Sequence, residues 1–276
     1  MSKPAREAKR MGDVGGGLTA FAIAYLLFLY VPVLFLPVFS FNDSIFVAFP
    51  LRGFTTKWYE QMFADQDMLD ALAASLQVGG IVAVVSTILG LLGAKAVTRY
   101  RMPGQGAVTS LIMLPLFIPE IILGISLLIL INGLEMSLSL VTVAIGHVML
   151  CTPFAMAVLT SRLDGFDRSL EEASMDLGES PWMTFWRVTF PLAAPGIVSS
   201  LLLTFIVSFD EFLLSFFLAG LQPTLPVYIW SQLRFPAKLP GVLSLGALIL
   251  ISSCILVFFA EWVRQLGTTE RKVGVA

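Results

Sequence analysis

Six long apolar runs alternate with short polar segments along the chain: residues 18–41, 72–97, 107–131, 138–159, 195–221 and 242–263. Each comes close to, or exceeds, the roughly 20 apolar residues that a helix needs to cross a hydrocarbon core. The pattern predicts an all-α membrane protein with six transmembrane helices. A cleaved signal peptide would have an apolar region of about 7–15 residues ending at small residues. The first run is longer and ends in Val38-Phe39-Ser40-Phe41-Asn42, so it is read as a retained span.

The polar segments orient the spans. Lys and Arg crowd the segments that share a side with both termini. Only Arg52, Lys57, Arg234 and Lys238 fall on the opposite side. This bias of about threefold places the termini in the cytoplasm. The expected layout is a cytoplasmic tail at 1–17, a peripheral first helix at 18–41, a periplasmic loop at 42–70, a five-helix core at 71–263 and a cytoplasmic tail at 264–276. In the outer loop, Phe54, Trp58, Tyr59, Met62 and Phe63 share one face at helical spacing. They predict a short helix, either lying on the membrane surface or packed on the bundle's rim. A second short helix is expected within 227–235.

The segment 162–194 interrupts the apolar pattern differently. Glu171, Glu172, Ala173, Ser174, Asp176 and Leu177 form one short helix, and Gly178 breaks it. Ser180 and Pro181 suit the N-cap and first position of a second helix. Trp182, Phe185, Trp186 and Phe190 follow at helical spacing, ending at Pro191. This is a helix-turn-helix on the cytoplasmic side, with the bland alternative that it merely joins two spans. The run Glu172-Ala173-Ser174, then Gly178, then Val188-Thr189-Phe190-Pro191 resembles the signature of permease subunits of binding-protein-dependent ABC importers, of the type I (MetI-like) fold. Ser174, Val188 and Phe190 replace the usual Ala, Ile and Leu. The resemblance implies that Glu171 to Gly178, with Pro191, form a coupling loop that docks into an ATPase subunit.

Composition agrees with membrane residence and narrows the chemistry. The chain has 276 residues, of which 57% are hydrophobic and 13% charged, against about 25% charged in soluble domains. No basic stripe suggests nucleic acid. The two cysteines, Cys151 and Cys254, lie in apolar runs, and the one histidine, His147, has no cluster of metal ligands around it in sequence. No glycine-rich GxxxxGK[ST] phosphate loop and no recognisable nucleophile context occur. The chain is therefore not expected to be an enzyme, and no catalytic or metal site is nominated.

Ionisable residues within spans cost about 2.5–3.5 kcal/mol each, so those present call for a reason. Glu120 lies in the third run just after Pro115 and Pro119, His147 in the fourth, and Asp210-Glu211 in the fifth. Helical rise, taken along straight helices, puts all three at a similar depth of roughly 20 Å or less. Glu120, Asp210 and Glu211, with Phe117 and Phe209, are candidates for a path that passes a cation. The alternative is that Glu120 and Asp210 pair with polar groups of a partner subunit. For Glu211 and His147 a structural role is the better reading.

Three further segments resemble the spermidine/putrescine branch of these permeases: 53–59, 161–167 and 208–211. The resemblance implies that Glu120 and Asp210-Glu211 contribute to polyamine passage, with Glu where the branch often has Asp. It also implies the company the chain keeps: a second, different permease subunit, two ATP-binding subunits that hold ATP and Mg, a periplasmic solute-binding protein, and the lipid bilayer. No cofactor is expected on this chain itself. Importers of opines, amino-acid derivatives or other small amines carry similar loops. A scaffold or sensor subunit that moves nothing is the distant alternative.

Overall fold

The computed structural model describes the backbone of residues 3–100 and 103–269, and the side chains of residues 17–100, 103–255 and 258. Twelve helices follow one another in these residues: α1 (Lys3–Ser40), α2 (Lys57–Ala64), α3 (Gln66–Arg99), α4 (Gln105–Met113), α5 (Glu120–Gly133), α6 (Leu140–Asp164), α7 (Ser169–Asp176), α8 (Pro181–Thr184), α9 (Phe190–Asp210), α10 (Leu213–Leu218), α11 (Leu225–Gln232) and α12 (Leu239–Thr269). Five stretches are long and apolar enough to span a membrane, and α4 with α5 forms a sixth candidate bent by 101°. Most large apolar side chains of α1 are exposed, such as Phe28 at 77%, as suits a lipid-facing helix.

The chain divides into two compact units, residues 66–231 and residues 1–65 with 232–276. The larger unit is built on α3, α6 and α9, which pack against one another. Small residues allow the approach: a Cβ added at Gly90 of α3 would stand 2.5 Å from Ala155 Cβ and 2.8 Å from Met156 N on α6. Thr87 and Ser200 link α3 to α9 through their hydroxyls at 3.1 Å. Thr142 donates to Leu218 O at 2.8 Å, tying α6 to α10. Val82, Val143, Leu150, Leu214 and Leu218 fill the core beside these contacts.

In the smaller unit α12 packs along α1 and against α2. The expected loop helix is α2, and it buries Trp58 and Met62 within the protein while Phe54 and Phe63 stay exposed. Trp58 Nε1 donates to Asn42 O at 2.8 Å, and Lys238 pairs with Asp65 at 3.2 Å. The last helix thus shares a contact unit with the first helix. Helix α1 also begins well before residue 18. Residues 1–2, 101–102 and 270–276, which include the basic positions Arg101, Arg271 and Lys272, lie outside the described residues.

Two of the expected spans are broken, the third at the prolines that the sequence marks. In the third, Leu114–Leu116 forms a tight 3₁₀ turn, and Pro119 sits at the N-cap of α5 with φ −54° and ψ 129°. Proline disfavours helical geometry in the residue before it and removes a donor; two prolines four residues apart stop the helix and restart it in another direction. In the fifth, α9 stops at Asp210, Glu211 is extended (φ −72°, ψ 119°), and α10 begins at Leu213. Depth estimates from straight-helix rise do not hold across either break.

Candidate functional site

The segment after α6 builds an elbow. Helix α7 ends in a Schellman motif: Gly178 N donates to Met175 O at 2.9 Å, and Glu179 N donates to Ser174 O at 3.2 Å. Gly178 has φ +94°, a left-handed conformation that favours glycine. Ser180 then caps α8, accepting from Met183 N at 3.3 Å, with Pro181 at its first position. The expected second helix does not end before the next span. The chain is helical from Pro181 through Asp210, with a π-helical stretch at Phe185–Thr189. Pro191 supplies the reason: it has no N–H for the carbonyl four residues back, and a wider turn relieves the clash with its ring.

One buried carboxylate holds the elbow to the bundle. Glu171 accepts from Arg99 Nε at 2.7 Å and from Thr189 Oγ1 at 2.6 Å. Arg99 also donates to Leu163 O at 3.2 Å and lies over the Phe166 ring. Arg168 returns the contact by donating to Arg99 O at 2.7 Å. The ends of α3, α6, α7 and the π-helical stretch therefore converge on Glu171. Ser174 and Thr184 meet at 3.1 Å across the turn. Glu172, Ala173, Met175, Asp176, Leu177 and Pro191 are exposed, Leu177 at 88%. Beside the elbow, Asp167 accepts from Ser169 N at 3.0 Å, and the hydrogen bonds from Ser169 hold its carboxyl below the usual range.

Glu120 and Asp210 line the same open cavity of about 390 Å³, with Glu211, Leu150, Ile206, Val207, Phe212 and Leu213. Both are exposed to it, Glu120 in the first turn of α5 and Asp210 as the last residue of α9. Helix N-termini favour the negative charge of Glu120, and the free carbonyls at the end of α9 favour a cation near Asp210. Glu211 touches the cavity but is buried: its Oε2 accepts from Leu214 N at 2.9 Å and Ser215 N at 3.2 Å. Phe117 is 79% exposed and Phe209 stacks on Phe205; neither lines this cavity. Phe212 does, and it packs on Trp230 with Phe216. Sequence reading missed Arg99 and Thr189 as partners of the elbow. It also missed Ser208 and Ser215, the buried hydroxyls beside Glu211. Among the described residues no cluster of His, Cys, Asp and Glu could hold a metal ion.

An apolar bundle that keeps two carboxylates on one open cavity and carries a firmly held elbow between two of its spans has the features of a membrane transport permease. A family model described as "Binding-protein-dependent transport system inner membrane component" matches residues 86–265. The chain belongs to that family, the permease subunits of ABC importers, and is a multi-pass membrane protein. It is 34% identical over 252 residues to the putrescine transport system permease protein PotI of Escherichia coli K12, covering 88% of this chain and 89% of the relative. It is 33% identical over 246 residues to the spermidine/putrescine transport system permease protein PotC of the same organism, covering 89% and 92%. Among solved structures, a chain of a bacterial ABC transporter importing the acidic polysaccharide alginate superposes with TM-score 0.68 at 18% identity, covering 96% of this chain and 98% of that one. A chain of the MetNI methionine transporter gives TM-score 0.55 at 17% identity, covering 76% and 95%. These likenesses show a shared fold. The matched relatives are transport permeases rather than enzymes.

Proposed function

We infer that this permease forms, with a second permease chain, the path through which a polyamine such as putrescine or spermidine enters the cell. Uptake is driven by ATP hydrolysis in two separate ATPase subunits. The observation that carries the reading is the cavity shared by Glu120 and Asp210 at the end of α9, in a chain similar to putrescine permeases over most of its length. A polyamine carries ammonium groups that need charge-assisted acceptors. Two carboxylates and a helix C-terminus supply them in a wall that is otherwise apolar. On this reading the exposed face of α7, from Glu172 to Leu177, is the surface offered to the ATPase and lies, like both termini, in the cytoplasm. A periplasmic binding protein delivers the solute, and ATP and Mg stay with the ATPase subunits. ATP-driven motion reaches the spans through the elbow only because the ATPase states bind it unequally.

Neutralising the cavity tests the reading. Asp210→Asn and Glu120→Gln in the reconstituted complex are each expected to lower labelled putrescine uptake by about tenfold, roughly one charge-assisted hydrogen bond. The yield of assembled complex should change much less. If uptake and yield fall in parallel, the carboxylates hold subunits together and do not meet solute.

A further inference from the structure

His147 has no place in the transport reading, yet its surroundings are organised around the carboxylate pair. It is completely buried in α6. Its Nδ1 lies 2.8 Å from Ser208 Oγ, in the last turn of α9. Its Nε2 lies 3.2 Å from Glu211 Oε2 and 3.1 Å from Ser215 Oγ, in the first turn of α10. An ionised carboxylate only accepts hydrogen bonds, so Nε2 is the donor toward Glu211, while Nδ1 and the Ser208 hydroxyl share the second hydrogen bond. One ring therefore holds the end of α9, the break, and the start of α10.

Apolar patterning alone does not call for that break. Residues 195–221 read as one apolar run whose only ionisable residues are Asp210 and Glu211, and a continuous helix would satisfy the carbonyls that the break leaves open. Glu211 turned inward supplies the competing arrangement by accepting the first N–H groups of α10. A carboxylate this buried is stabilised by each further donor, and His147 Nε2 stands beside the two backbone N–H groups that already hold it. The break in turn places Asp210 at a helix end, on the same cavity as Glu120.

We propose that His147 is a positioning residue for the cation site: by holding Ser208, Glu211 and Ser215 it fixes where α9 ends, and so where Asp210 stands. The inference rests on reading the cavity as a cation path. Without the clamp, α9 extends through Glu211, the free carbonyls at its end disappear, and Asp210 rotates relative to Glu120. His147 then acts on solute only through Asp210.

A double-mutant cycle on the complete complex in proteoliposomes tests this, with labelled putrescine and saturating binding protein. His147→Ala is expected to lower uptake about tenfold in the native background but less than twofold in the Asp210→Asn background, the non-additivity of residues acting through one another. His147→Gln, whose amide can donate from near the Nε2 position, should restore most of the native rate. Equal losses in both backgrounds, or native uptake by His147→Ala, overturn the proposal. Should His147→Ala fail to assemble, Ser208→Ala makes a milder cut in the same clamp, and the same pattern of non-additivity is required of it. Native uptake by Asp210→Asn alone would instead remove the cation-path reading and this inference with it. A defect in Asp210→Asn that merely adds to that of His147→Ala would remove this inference alone.

Discussion

Gly178→Pro is expected to abolish ATP-driven uptake while the protein still inserts in the membrane and assembles its spans. Proline fixes φ near −65°, and Gly178 stands at +94°. The substitution also removes the N–H that donates to Met175 O. Left-handed strain costs on the order of 1–3 kcal/mol and the lost hydrogen bond about 1 kcal/mol more. Both fall on the short Schellman turn that sets the angle between α7 and α8. The exposed face from Glu172 to Leu177 then no longer stands where its neighbours fix it. Gly178→Ala keeps the N–H and suffers only the strain, so it should transport at an intermediate rate. Uptake and ATPase activity stimulated by the loaded binding protein, measured on the same proteoliposomes, check the order. Gly178→Pro should lose both, and native rates from it would mean that the elbow carries no force.

The second large effect belongs to Glu171→Ala. Glu171 and Arg99 are nearly buried, with side chains 11% and 7% exposed. Removing one partner of a buried pair leaves the other charge uncompensated, at a cost of about 3–5 kcal/mol. Here Thr189 loses its acceptor as well. The elbow should detach from the end of α3, lowering thermal stability in detergent and uptake together. Glu171→Gln keeps one acceptor oxygen for Arg99 and can donate to the Thr189 hydroxyl, but it removes the negative charge, so it should fall between the native protein and Glu171→Ala. The adjacent Glu172 is exposed, so Glu172→Ala should leave the melting temperature in place and weaken ATPase docking instead. A melting temperature unmoved by Glu171→Ala would show that Arg99 and Thr189 find other partners.

These contrasts mark where sequence reading succeeds. The spans and the elbow's caps were legible because they depend on local properties: apolar length, Ser180 before Pro181, and a glycine after a polar helix. The conjunction of Glu120 with Asp210 was legible as a chemical anomaly, since carboxylates in apolar runs demand a partner. The bend before Glu120 was signalled by Pro115 and Pro119, but its 101° angle was not, because packing sets the direction in which a broken helix resumes. The break at Glu211 was marked only by the acidic pair Asp210-Glu211. The histidine that contacts Glu211 there lies 64 positions earlier in sequence, and no window along the chain joins the two. Arg99 was read for its charge at a membrane edge, whereas its partner Glu171 lies 72 positions away. The grouping of α12 with α1 also depends on helix contacts that hydropathy does not encode.

Uptake of labelled putrescine and spermidine by proteoliposomes holding the whole complex, with its binding protein outside and ATP inside, bears most directly on what this permease moves. The account predicts ATP-dependent accumulation that unlabelled polyamines compete away and that alginate oligosaccharide or methionine leaves untouched. Accumulation of a neutral or anionic solute in its place, with both polyamines excluded, would contradict it.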